Sequence, residues 1–170
     1  MRLKPIIKKS LLFAGCLYCI SMAQAESDTE QQIKARYIYN FAKLITWPNP
    51  PQNALTVCLM GENSFQTQLE QLMREHATEY RRINGINEVD PCNILVLAPE
   101  NAKQLDLWIN QLNNKPILTI SDSTNSLRTG IMIELVTHSD KIAFKINRKK
   151  ASDSSLQMSA GLLKLAEEVL

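Results

Sequence analysis

Leu55-Thr56-Val57-Cys58-Leu59-Met60, closed by Gly61, is a nearly continuous apolar run. Such a run is the signature of a strand buried on both faces. Two more follow: Asn93-Ile94-Leu95-Val96-Leu97-Ala98, and Ile117-Leu118-Thr119-Ile120 behind Pro116. Between the first and second, Phe65, Leu69, Leu72 and Met73 share one helical side, with Ser64 placed to cap it and His76 at its end. Tyr80 to Ile83 is short and rich in charge, which suits an edge strand. Between the second and third, Pro99-Glu100 opens a helix carrying Leu105, Trp108, Ile109 and Leu112. Strand, helix, strand, strand, helix, strand is the rhythm of a parallel sheet with helices on both faces.

The chain changes character after residue 130. Ile131, Ile133 and Leu135 alternate with Met132, Glu134 and Val136, and Ile142, Phe144 and Ile146 alternate with Lys141, Ala143 and Lys145. With a turn at Thr137-His138-Ser139-Asp140, Leu135 faces Ile142, Ile133 faces Phe144 and Ile131 faces Ile146, all on one apolar face. An antiparallel hairpin is therefore expected to extend the sheet. Arg148-Lys149-Lys150 reads as solvated surface and Ser152 to Ser155 as a polar loop. Ser159 can then cap a last helix carrying Leu162, Leu163, Leu165, Ala166 and Val169. The fold class expected is one α/β domain, largely parallel, with a C-terminal antiparallel hairpin and helix.

Upstream lies Lys34-Ala35-Arg36-Tyr37-Ile38-Tyr39-Asn40-Phe41-Ala42-Lys43-Leu44-Ile45-Thr46-Trp47-Pro48. Ile33, Tyr37, Phe41 and Leu44 mark one helical face, widened by Ile38 and Ile45, and Pro48 is expected to stop the helix. Lys34 is the one charge inside the apolar arc, with a stem long enough to carry its ammonium out to water. Gln32, Arg36, Tyr39 and Lys43 form the polar back. That back is either a solvated surface or a strip facing a partner, in which case Arg36, Tyr39 and Lys43 are the candidate contacts.

Arg2, Lys4, Lys8 and Lys9 precede an apolar run from Leu11 to Met22, broken only by Ser21, and Ala23-Gln24-Ala25 supplies a small-x-small cleavage pattern. This order is that of a secretory signal peptide, too short to span a bilayer. Residues 1–25 are expected to be removed after Ala25, leaving 26–170 as the domain. Ala14-Gly15-Cys16 resembles the end of a lipobox, but bulky Phe13 fits that pattern poorly. Taking those four basic residues from the 19 Lys and Arg leaves 15 against 17 Asp and Glu, near −2, so nothing favours nucleic acid as a partner. Cys16 and Cys19 leave with the signal, and Cys58 and Cys92 remain. An even pair in an oxidising compartment suggests one disulfide; two buried free thiols are the alternative.

Catalytic chemistry finds few materials. His76 ends an apolar helix face and His138 sits in a turn, and no H-x-x-x-H, C-x-x-C or carboxylate cluster suggests a metal. Ser121-Asp122-Ser123-Thr124-Asn125-Ser126 has turn composition and lacks the glycines of a nucleophile elbow. A hydrolase would have to draw its nucleophile from Ser121 or Ser123. A small-ligand binder would use a pocket at the carboxyl ends of the strands, near Gly61 and Ala98. Gly61 alone, without G-x-G-x-x-G, is a weak phosphate-loop signal.

Taken together, the segments resemble the YfiR family of exported bacterial proteins, from Ile33 to Leu170. Lys34 to Pro48 looks like the family's helix ending in Asn-Phe-Ala-Lys and Trp-Pro. Cys92-Asn93-Ile94-Leu95, Ile117-Leu118-Thr119-Ile120-Ser121-Asp122 and Gly130-Ile131-Met132-Ile133 match in order. So do Ile142-Ala143-Phe144-Lys145-Ile146-Asn147 and Leu162-Leu163-Lys164-Leu165-Ala166. The resemblance implies a periplasmic repressor, not an enzyme, with no cofactor. It would engage the periplasmic part of an inner-membrane diguanylate cyclase and so lower cyclic-di-GMP signalling and biofilm formation. An outer-membrane lipoprotein and a second copy of the chain are further candidate partners. Cys58 and Cys92 match a family disulfide. A second disulfide of some members would fall between Ser121 and Ile133, where this chain has no cysteine, so redox sensing by that bond does not transfer. The alternative function is a periplasmic small-ligand binder without a cyclase partner.

Overall fold

The computed structural model describes residues 29–50, 54–100, 102–112, 114–139 and 141–170; the expected export segment, 1–25, lies outside them. The elements in order are α1 (Glu30–Ala42), β1 (Ile45–Thr46), β2 (Thr56–Gly61), α2 (Gln66–Glu75), β3 (Glu79–Ile83), β4 (Ile94–Ala98), α3 (Ala102–Gln111) and β5 (Leu118–Ser121). Then come β6 (Ile133–Thr137), β7 (Ile142–Ile146), α4 (Arg148–Asp153), β8 (Gln157–Met158), α5 (Ala160–Leu165) and β9 (Glu168–Val169). Seven strands form one sheet in the order β3-β2-β4-β5-β6-β7-β9, and β1 pairs separately with β8. The pairs from β3 to β6 are parallel, β6 and β7 are antiparallel, and β9 returns parallel to β7. The α/β domain with its mostly parallel sheet and C-terminal antiparallel pair is as the sequence predicts, and the charged β3 lies at an edge.

Strand alternation divides the core into two layers. Val57, Leu59, Ile94, Val96, Leu118 and Ile120 face a layer shared with Ile38 and Phe41 of α1 and with Leu69 and Met73 of α2. Cys58, Met60, Leu95 and Leu97 face the other, with Leu105 and Ile109 of α3. Each side chain of a central strand is thus buried on one face or the other, which is why these runs carry no polar alternation. Cys58 and Cys92 are joined by a disulfide in the second layer, with Cα atoms 5.8 Å apart and a sequence separation of 34. Asn93, next to Cys92, caps the start of β2: its Oδ1 accepts from the Thr56 amide at 2.9 Å.

Helix α1 starts with a capping box, in which Thr29 and Gln32 satisfy each other's backbone amides. It ends at Ala42, earlier than Pro48 predicts. Ile45 and Thr46 leave it to pair with Met158 and Gln157 of β8, an option that local helical periodicity does not reveal. The buried stripe is also rolled from the predicted one. It runs through Lys34, Ala35, Ile38 and Phe41, while Ile33 and Tyr37 are half-buried. Phe41 and Tyr37 both meet Phe144 of β7 edge-on, with ring centroids 4.9 and 5.5 Å apart.

Lys34 accounts for that roll. Its ammonium does not reach water: it lies 2.8 Å from Glu30 Oε1 and 3.0 Å from Asp122 Oδ2, with the residue 5% exposed. Burial pushes the Lys34 pKa down, but the hydrogen bonds to Glu30 and Asp122 outweigh it and hold the pKa above its ordinary value. Glu30 is held low by the same Lys34 hydrogen bond and, secondarily, by Thr137.

Other expectations need correction. Ser64 does not cap α2; Phe65 occupies the N-cap, and its amide donates to Asn63 Oδ1 at 3.1 Å. The β6–β7 register is shifted by two residues, so Leu135 faces Phe144 and Ile133 faces Ile146. The turn sits one residue later, closed by the His138 amide donating to the Lys141 carbonyl at 2.9 Å. A slip of two keeps every side chain on its face, so alternation cannot distinguish the two registers. Arg148 to Asp153 forms α4, capped by Asn147, so the helix takes the first part of the expected polar loop, while Arg148 and Lys149 are exposed as expected. Ser159 does cap the last helix, but α5 ends at Leu165 and Glu168–Val169 becomes β9.

Two outcomes follow for stability. Replacing both Cys58 and Cys92 with Ala should cost about 4 kcal/mol on the chain-entropy account of a loop this long. Urea unfolding should show that loss, and wild type should match the variant once reductant is added; coincident curves without reductant would contradict it. Lys34→Met should cost about 1–3 kcal/mol at neutral pH by stranding Asp122. The ion pair is complete above the ordinary carboxylate value of 4.5 and below that of lysine at 10.5. Its stabilisation is lost as pH falls through the lowered Glu30 pKa and as pH rises through the raised Lys34 pKa. Melting temperature against pH should therefore fall less steeply below pH 4.5 in the variant; equal acid limbs would contradict this assignment.

Candidate functional site

Fixing Lys34, Ile38 and Phe41 inward leaves Gln32, Arg36, Tyr39 and Lys43 on the far side of α1. Arg36 and Lys43 are exposed and Tyr39 is half-buried. Tyr39 stacks on His76 at the end of α2, with centroids 4.2 Å apart and planes 15° from parallel. The Lys43 ammonium lies 4.1 Å from the Tyr39 ring centroid, a cation–π distance. Tyr39 is therefore held from two sides. Next to it, α1 and α2 enclose a groove of about 210 Å³, lined by Gln32, Ala35 and Arg36 on one side and Gln68, Gln71, Leu72 and Glu75 on the other. Spacing along the chain places His76 only at the end of its own helix. Its role beside Tyr39 depends on how α1 and α2 pack, which no spacing along one helix can reveal.

The strand ends near Gly61 and Ala98 form a second concavity of about 440 Å³, as the ligand-binder alternative places it. Ser121 is fully buried, donates its hydroxyl to the Leu97 carbonyl at 2.7 Å and accepts from the Ser123 amide at 3.2 Å. These bonds tie β5 to β4 and shape the turn after it; they do not present a nucleophile to solvent. His138 lies 2.9 Å from Glu167 Oε2, and that contact holds Glu167 below the usual carboxylate range. It fastens the C-terminal segment to the hairpin.

Glu134 is a functional-looking carboxylate whose work is local. Read from alternation it belongs to the polar side of a hairpin, yet it is 6% exposed. It accepts from the amides of Asn125 and Leu127 at 3.1 and 2.9 Å and from the Ser126 hydroxyl at 3.3 Å. Among the described residues no group of three or more His, Cys, Asp and Glu is placed to hold a metal ion. Among the same residues no helix is long and apolar enough to cross a membrane.

Two solved structures share the fold. One is a conserved domain protein from Vibrio cholerae O1 biovar eltor, at TM-score 0.61 and 9% identity, covering 84% of this chain and 60% of that one. The other is the ABC domain in complex with L-Trp from Streptococcus pneumonia, at TM-score 0.58 and 15% identity, covering 80% of this chain and 60% of that one. This chain therefore spans about three fifths of each, and the likeness is one of fold. The model of the YfiR/HmsC-like family (DUF4154) matches residues 31–167, from the first turn of α1 to the residue before β9. The chain belongs to the YfiR/HmsC-like family.

Proposed function

We propose that the protein is an exported repressor that occupies the periplasmic part of an inner-membrane diguanylate cyclase and thereby lowers cyclic-di-GMP. The observation that carries this reading is family membership over residues 31–167. At the level of the family it supports a periplasmic regulatory role in cyclic-di-GMP signalling and regulators in place of enzymes. The disulfide between Cys58 and Cys92 suits an oxidising compartment. The identity of the cyclase, an outer-membrane lipoprotein that would sequester the repressor, and pairing of two copies belong to this proposal.

The docking surface proposed is the α1–α2 face, with Arg36, Tyr39 and Lys43 as its contacts. A repressor must bind the inactive sensor conformation more tightly than the active one. Swinging a two-state sensor from one extreme to the other takes about 5.5 kcal/mol of differential affinity. An interface of standard size, about 800 Å² per partner, supplies that when it has aromatic or arginine anchors. Tyr39, already held between His76 and Lys43, loses little rotamer freedom on docking, which favours it as an anchor.

Deleting the gene should raise cellular cyclic-di-GMP and surface attachment, and a copy lacking residues 1–25 should fail to restore the low level. Arg36→Glu combined with Lys43→Glu should abolish repression while the purified variant remains folded by circular dichroism. Unchanged cyclic-di-GMP in the deletion strain would sink the cyclase assignment. Full repression by the folded double variant would move the interface away from α1.

A further inference from the structure

The chain leaves β2 and β4 toward opposite faces of the sheet. From β2 it enters α2, which packs in the first core layer, and from β4 it enters α3, which packs in the second. β2 and β4 are neighbours, with Gly61 opposite Ala98 at their carboxyl ends. Divergent connections above adjacent parallel strands open a crevice, and open α/β sheets bind ligands at such switch points. Here the crevice has a volume of about 440 Å³, within the roughly 300–1,000 Å³ common for small-molecule sites. The α1–α2 groove, at about 210 Å³, falls below it. Gly61 has φ +88°, and a Cβ there would collide with the Ala98 carbonyl, so backbone alone fits between the two strand ends.

The lining specifies a chemistry. Buried Met60 and Ile83 and half-buried Trp108 supply an apolar wall, while the charges are Glu62, Arg82 and Glu100. Arg82 Nη2 lies 3.8 Å from Glu62 Oε1, so the single guanidinium already has a carboxylate beside it. Glu100 forms no ion pair among the described residues, and its amide donates to Gln104 Oε1 at 2.8 Å, fixing the loop that carries it. A free carboxylate or phosphate entering here would face two glutamates against one arginine. A cation would meet the reverse balance, with the Trp108 side chain in the same lining.

We propose that this crevice binds a primary ammonium ion carrying an apolar tail. The tail lies on Met60, Ile83 and Trp108, and the ammonium sits between Glu62 and Glu100. This site is separate from the α1–α2 face, and neither claim depends on the other.

The test titrates the purified, ¹⁵N-labelled protein with phenethylamine, 3-phenylpropionate and phenylalanine, which share a ring and differ in charge. Phenethylamine should give saturable shifts of the Gly61 amide and the Trp108 indole N–H, with an affinity at least about tenfold above either of the others. Glu62→Gln with Glu100→Gln should weaken that binding about tenfold or more at an unchanged melting temperature, since both glutamates are exposed. Trp108→Leu is the independent variant and should weaken phenethylamine while leaving the preference for amine over acid. Absence of saturable shifts at Gly61 and Trp108 up to about 10 mM overturns the proposal. So does equal binding of the acid or the zwitterion, or wild-type affinity in the double glutamine variant.

Discussion

The ammonium of Lys34 sets the roll of α1, and much of the molecule's surface follows from it. A buried cation must be met by carboxylates, and Glu30 one turn back and Asp122 after β5 are the two that meet it. With that point fixed, Ile38 and Phe41 are committed to the core, where Phe41 closes on Phe144. The remaining side of the helix is then determined: Arg36 and Lys43 face outward, and Tyr39 lies against His76. An interaction in the interior thus decides which residues α1 leaves at the surface.

The second organising constraint is topological. Because β2 is flanked by β3 on one side and β4 on the other, the chain must cross over β2 between them. The crossing divides the helices between two faces and leaves the strand ends at Gly61 and Ala98 open. The disulfide works on the second face, where it joins β2 to the segment leading into β4 in the layer that packs against α3. One domain thereby carries both the α1–α2 face proposed for protein contacts and the crevice proposed for a small cation. The two are supported by different parts of the sheet.

How much of this was legible in the sequence depended on the range of the interaction. The three buried strands stood out because burial on both faces removes polar alternation, and α2 and α3 because each has an apolar side. The β6–β7 hairpin was readable in face but not in register, since a shift by two preserves the pattern. β1, β8 and β9 were missed because two-residue strands have no periodicity; only their partners define them. Lys34 was misread for a related reason. Glu30, one turn back, lies within reach of i, i+4 spacing, but the second counter-charge, Asp122, lies 88 residues away in sequence, so a helical wheel does not show the ammonium held inside and suggests snorkelling. Glu134 is hidden likewise, as the amides that donate to its carboxylate lie in a turn that precedes it in the chain. For the candidate site, Arg36, Tyr39 and Lys43 could be grouped from spacing alone, whereas His76 joins them only through packing between helices.

The central claim is that α1 is locked to the sheet by its inner face so that its outer face, with α2, meets a membrane sensor. Hydrogen exchange of the protein, alone and with the purified periplasmic domain of the proposed cyclase partner, tests this most directly. The account predicts added protection concentrated in residues 30–43 and 66–76, with the β7–β9 edge unchanged. Protection confined to that edge, with α1 and α2 exchanging as in the free protein, would contradict it.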